Sequence, residues 1–143
     1  MAYPIVLFRQ LFEIATDVKD NKIEKAFFEA DLLDILPQTD LMYSAIPAEY
    51  IPDGADFAGA EKVICYYAFA RYLQIADQNS TTTGIKIQTY GGSMVVPDTS
   101  KNKRVDAERQ KADLFIQPLI CKMRKDGIIK SCTITNSRYG LIK

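Results

Sequence analysis

Apolar positions divide this chain into segments of different period. From Val63 to Ala70 no residue is charged, and the surrounding stretch from Phe57 to Asp77 is the longest helix-compatible segment in the sequence. A helix that is apolar on every side is one enclosed by other elements, so residues 57–77 predict a central core helix. Two amphipathic segments are its predicted partners. In the first, Ile23, Ala26, Phe27, Ala30, Leu33 and Leu36 recur at helical spacing, with Lys22, Glu29 and Asp34 outside the stripe. Asp20-Asn21 offers its N-cap, and Pro37 is expected to end it, because the residue before a proline is driven out of the helical region. In the second, about Val105 to Lys125, the stripe is Ala112, Phe115, Ile116, Leu119, Ile120 and Met123. Asp126-Gly127 should close that helix, and Pro118, which has no N–H for the carbonyl of Leu114, should kink it.

The remaining segments are shorter. Residues 3–17 fit a helix through Leu7, Leu11 and Ile14, and also an extended arm through Phe8, Phe12, Ile14 and Val18. Residues 40–50 read as a short helix broken at Pro47, and Ile51-Pro52-Asp53-Gly54 as a turn that presents Asp53 or Asp56 as the cap of the central helix. Between residues 78 and 103 the period changes: Ile85, Ile87 and Thr89 alternate, Gly91-Gly92 follows, and Met94-Val95-Val96 precedes Pro97. A glycine pair between two β-prone runs predicts a hairpin, with strands near 84–90 and 93–97. Its polar flanks predict that it projects from the core. Residues 128–143, with Ile129, Cys132, Ile134 and Tyr139, form a basic, β-prone tail that reads as a strand or an arm. The predicted fold is mainly α: a small helical bundle around the apolar helix 57–77, an inserted β-hairpin at 84–97 and the β-prone C-terminal tail. A chain of 143 residues suits a single domain, here a helical core of about 20–126 with an N-terminal arm (1–18) and a C-terminal tail (128–143).

Composition narrows the chemistry. The apolar run of the central segment is far shorter than the roughly 20 residues of a membrane span, and no basic region precedes the apolar N-terminus, so neither a span nor a signal peptide is expected. Cys65, Cys121 and Cys132 lack CxxC spacing and read as buried free thiols. Histidine is absent, which removes the commonest general base and imidazole ligand. Glu29, Asp31 and Asp34 read as a solvated acidic face rather than a metal site. Ser80, Ser93, Cys65 and Cys121 have no recognisable base nearby, and Gly91-Gly92 lacks the following helix of a phosphate loop. No catalytic, cofactor-binding or metal residue is assigned, and no enzyme is expected.

A net charge of zero conceals a polarity along the chain. Residues 1–62 hold 5 Lys and Arg against 12 Asp and Glu, a balance of −7, whereas residues 101–143 hold 11 against 4, a balance of +7. If the two ends occupy different faces, copies can dock acidic face to basic face, a heterologous contact that closes into a ring or runs on as a filament. The basic candidates are Lys101, Lys103, Arg104, Arg109, Lys111, Lys122, Arg124 and Lys125, suited to a neighbouring subunit or to phosphates of a DNA channel. Aromatics are not interleaved with them, which argues against base stacking. A small nucleic-acid-binding or regulatory protein using this basic half is the alternative reading. In the hairpin, Ile87, Tyr90, Gly91, Gly92 and Met94 are the candidate contact residues.

The order of these patterns is itself informative. Ile23-x-x-Ala26-Phe27-x-x-Ala30-x-x-Leu33 running to Leu36-Pro37, then Leu41-Met42-Tyr43, then Tyr66-Tyr67-Ala68-Phe69-Ala70-Arg71-Tyr72-Leu73, then Ser80-Thr81-Thr82-Thr83-Gly84-Ile85, a hairpin and a closing helix, resembles tailed-bacteriophage head–tail connector (adaptor or neck ring) proteins. Over roughly residues 15–125 it looks closest to those of phages of Bacteroidetes hosts. The resemblance implies a small α-helical core with a protruding loop or hairpin, assembled as a ring, commonly a dodecamer, beneath the portal in the virion. Such a ring extends the DNA channel and docks further neck or tail ring proteins; the family has no catalytic residues to carry over. The chain departs from commoner members in its longer hairpin around Tyr90-Gly91-Gly92 and in the tail after Gly127.

Overall fold

Helix α4 (Ala60–Ile75) is the element that the others cover, and Gln74 is its only exposed residue. A computed structural model describes residues 2–75, 78–81, 84–87 and 98–130, the strands by their backbone. Before α4 come α1 (Ile5–Leu11), α2 (Asp20–Ala30), a π-helical turn (Asp31–Ile35), α3 (Leu36–Thr39) and two 3-10 turns, Tyr43–Ala45 and Ala48–Tyr50. After it come β1 (Gln78–Thr81), β2 (Gly84–Ile87) and α5 (Asp98–Lys125). The mainly helical class and the central helix are as the sequence predicts. The bulk of the helix packing is α2 on α4 and α5 on α4. Tyr66 meets Phe115 and Tyr67 meets Asp113, so α5 runs antiparallel to α4.

The N-terminal stretch is a helix, and it joins the core instead of forming an arm. Phe8 is fully buried, with its ring 5.3 Å from those of Phe12 and Phe27 and 6.1 Å from that of Phe69. Phe12 stacks on Phe69 with centroids 3.9 Å apart. Helix α2 starts one residue earlier than expected: Asp20 is its first residue, no side chain caps it, and the Asp20 carboxylate pairs with Arg9 instead.

Pro37 does not end the first amphipathic segment. The Leu36 N–H reaches back five residues to the Asp31 carbonyl, and this wide turn lets the helix pass Pro37 and run on to Thr39. In a regular α-helix the proline ring would collide with the carbonyl four residues earlier, and the extra residue per turn relieves that clash. The turn also moves the inward face. Asp31, Asp34 and Ile35 are buried, whereas Leu33, expected inside, is 53% exposed, and Leu36 is half-buried. The acidic face predicted at Asp31 and Asp34 is therefore not solvated.

Closure of the chain around α4 follows local chemistry. The Asp53 carboxylate accepts the Gly59 N–H at 2.7 Å and pairs with Lys62, steadying the first turn of α4 from six residues upstream. These donors hold its carboxyl below the usual range, the Gly59 N–H most of all. A Cβ on Gly59 would lie 2.1 Å from the Ile51 carbonyl oxygen, so only glycine fits there. Helix α5 starts at Asp98, earlier than the expected Val105, and takes in Lys101 to Arg104. It continues past Pro118, whose neighbour one turn back, Leu114, lies on the outer face where water can satisfy the freed carbonyl. At its end Gly127 takes φ +76, its N–H donates to the Arg124 carbonyl, and the Ile128 N–H donates to the Met123 carbonyl. This is the double closure that glycine permits beyond a helix terminus.

The β-structure differs from expectation. Strand β2 falls within the predicted 84–90, but its antiparallel partner is β1, with Gln78 opposite Ile87 and Thr81 opposite Gly84. The predicted partner strand 93–97 and the turn at Gly91-Gly92 lie outside the described residues, as does the tail from residue 131. Among the described residues, no helix is long and apolar enough to cross a membrane.

The π-turn register is open to a paired test. Leu33→Ser should change stability by less than about 0.5 kcal/mol, as exposed substitutions do, whereas Ile35→Ser should cost about 2–4 kcal/mol through lost burial and a stranded hydroxyl. Urea unfolding of both variants measures this, and a larger loss at Leu33 would restore a regular α-helical register.

Candidate functional site

Three helices each bring a polar pair at a spacing of four residues to one seam: Asp34 and Gln38 beside the π-turn, Tyr67 and Arg71 on α4, Arg109 and Asp113 on α5. Residues four apart share one helix face, so the pairs meet as units. Asp34 is 4% exposed, and its carboxylate accepts Arg71 Nε at 2.9 Å, Arg71 Nη2 at 3.1 Å and Arg109 Nη2 at 2.9 Å. Gln38 Nε2 donates to the Tyr67 hydroxyl at 3.0 Å, and that hydroxyl donates to Asp113. Two carboxylates and two guanidiniums leave the seam neutral. Burial, and then the Asp113 hydrogen bond, push the Tyr67 phenol up, so it stays protonated. With its donors and acceptors matched to one another, this seam binds helices together; it presents no nucleophile with a free base beside it.

Two further carboxylates tie the loops down. Asp31 accepts the Tyr43 N–H at 2.7 Å and the Tyr3 hydroxyl at 3.1 Å, joining the N-terminus, the π-turn and the first 3-10 turn. Asp126 accepts the Tyr50 hydroxyl at 2.6 Å and pairs with Lys122, fastening the end of α5 to the second 3-10 turn. The Tyr50 hydrogen bond is the main reason that the Asp126 carboxyl lies below its usual range. Among the described residues, no group of three or more Cys, Asp or Glu is placed to hold a metal ion.

The basic candidates separate once placed. Arg109 turns inward to Asp34, and its side chain is 23% exposed. Arg124 is half-buried, and its Nε is buried. Lys111 pairs with Glu108, and Lys122 with Asp126. Lys101 is half-buried, while Lys103, Arg104 and Lys125 are exposed, Arg104 lying 5.5 Å from the Phe69 ring centroid. Of the hairpin candidates, Ile87 ends β2, and Tyr90, Gly91, Gly92 and Met94 lie outside the described residues. Cys65 is buried, and its thiol is pushed up to about 12, mainly by burial. Cys121, expected to be buried, is exposed; Cys132 is outside the described residues.

No family model, curated protein or solved structure matches this chain. Its surface therefore has to be read directly. The exposed large apolar side chains fall mostly in two places: Phe28, Leu32 and Leu33 on α2 and the π-turn, and Leu114 on α5. The seam residues were not singled out from sequence, although the recurring four-residue spacing of Asp34–Gln38, Tyr67–Arg71 and Arg109–Asp113 was a signal that could have found them.

Asp34→Asn should cost about 3 kcal/mol, because it strands two guanidiniums at a largely buried site, while joint replacement of Asp34, Arg71 and Arg109 by Leu, Met and Met should recover much of that loss. Denaturant melts of both proteins give the comparison, and a triple variant weaker than Asp34→Asn would contradict the neutral-seam account. The phenols of Tyr3 and Tyr43 are both raised from 10.0 to about 12, chiefly by burial. A group whose pKa is raised on folding loses its stabilising contribution as pH climbs from the unfolded to the folded value. Stability should thus fall between about pH 10 and 12, with phenolate absorbance and loss of helical circular dichroism rising together; early phenolate signal without unfolding would be the contrary result.

Proposed function

We propose that this chain is a structural, non-catalytic virion protein that forms a head–tail connector ring in the neck of a tailed phage, between the portal and the tail components. The observation that carries this reading is the order of elements quoted above, from the Ile23–Leu36 helix through the apolar helix at α4 to the closing helix α5. The helical core fits it, as do the acidic and basic ends of the chain. In this reading the protein binds copies of itself in a ring, by resemblance a dodecamer, and docks the portal protein and further neck or tail rings. The segment 84–97 acts as a contact, with Ile87, Tyr90, Gly91, Gly92 and Met94 as its candidate contact residues, and the tail after Gly127 orders against a partner. Lys103, Arg104 and Lys125 are the exposed bases available to packaged DNA.

Those same exposed bases favour, as a second reading, a small nucleic-acid-binding protein. The two separate in one set of measurements. Native mass spectrometry and negative-stain imaging of the protein with a portal assembly should show rings seated on the portal, and monomers both alone and with the portal would overturn the connector reading. Duplex binding by the isolated protein with a steep salt dependence would favour the second.

A further inference from the structure

The π-turn leaves an apolar strip on the outside of the molecule. Phe28 and Leu33 are 54% and 53% exposed, and Leu32 is 41% exposed. Beside Phe28 lies an open depression of about 440 Å³, lined also by Tyr3, Asn21, Glu24, Lys25 and Glu29. The exposed charges of α2 are Asp20, Glu24, Lys25 and Glu29, an acidic excess. Helix α5 carries the counterpart. Leu114 is 74% exposed, Gln117, Pro118 and Cys121 continue the same outer face, and the exposed charges from residue 107 to 126 are Lys111, Lys122, Lys125 and Asp126, a basic excess that persists although Lys111 pairs with Glu108 and Lys122 with Asp126. Since α2 and α5 are each packed chiefly on α4, one copy can use both outer faces at once.

We infer that the outer face of α2 in one copy receives the outer face of α5 in the next, with Leu114 seated in the depression beside Phe28. The α2 face is an apolar strip beside a net acidic charge and the α5 face an exposed leucine beside a net basic one, so the pairing α2 to α5 is favoured and α2 to α2 or α5 to α5 is disfavoured. The contact is heterologous, so copies add head to tail. A contact between single helix faces buries less than the roughly 1,200–2,000 Å² of a stable pairwise interface. Each junction is accordingly weak and is held by its neighbours in a closed assembly. The proposal rests on the connector reading for closure into a ring, while the junction itself stands on the two faces.

Trapping tests it. In the full chain with Cys132→Ser, Lys25→Cys is introduced on the α2 face, Cys121 serves on the α5 face, and a flexible bismaleimide is added. The expected product is a ladder of dimers, trimers and higher species whose linked peptides contain residues 25 and 121. The same chain without Lys25→Cys should give no ladder. Glu24→Lys with Glu29→Lys, or Gln117→Glu with Lys125→Glu, should each abolish the ladder without shifting the melting temperature, and mixing the two reversed proteins should restore it. Products that stop at dimers linked 25 to 25 or 121 to 121, a ladder indifferent to charge reversal, or no ladder at the highest attainable concentration would each overturn the junction. Rings on a portal without the 25–121 link would overturn the junction alone, and a 25–121 ladder from a protein that never rings on a portal would overturn the connector reading alone.

Discussion

The Asp34 carboxylate, held between the guanidiniums of Arg71 and Arg109, is the contact on which the rest of the arrangement depends. It is the point where the π-turn, α4 and α5 meet, and it carries charge into a place where charge is costly unless paired. That cost makes it selective. A rotation of any one of the three helices would leave an ion unmatched among apolar neighbours, so the seam discriminates against neighbouring registers more than it adds stability. The Gln38–Tyr67–Asp113 chain repeats the condition one turn further along the same helices.

Asp34 follows the buried Ala30 and Phe27 at four and seven residues, so helical spacing itself carries it to the inner face. The π-turn, for which Pro37 is the local reason, brings Ile35 inward beside it. Outside, it places Leu32 and Leu33 in solvent beside Phe28, where a regular helix would have turned Leu33 toward the core.

Much of the architecture was legible in the sequence because burial leaves a strong mark on composition. The uncharged run from Val63 to Ala70 identified α4, the stripe from Ala112 to Met123 identified the inner face of α5, and Gly127 identified its end. The register after Ala30 was not legible: in Leu32-Leu33-Asp34-Ile35 leucine and isoleucine flank the acid, so apolar spacing alone favours the regular helix, and only the partners on α4 and α5 decide otherwise. Counting charges along the chain failed at Arg109 for a related reason, since a sum cannot distinguish a solvated base from one consumed by Asp34. The hairpin expected at 84–97 is not what forms among the described residues: Gly84–Ile87 pairs with Gln78–Thr81, which is polar throughout and has no alternation to detect.

Helix α1 has a bearing on the order in which the molecule takes shape. Seven residues are too few to hold a helix in water by themselves. Its helicity is conferred by docking, through Phe8 set among Phe27, Phe69 and Tyr72. Two of those three rings belong to α4 and exist only after more than sixty further residues have been joined. Helix α1 must therefore wait as coil until α4 has been made, although it precedes α4 in the chain.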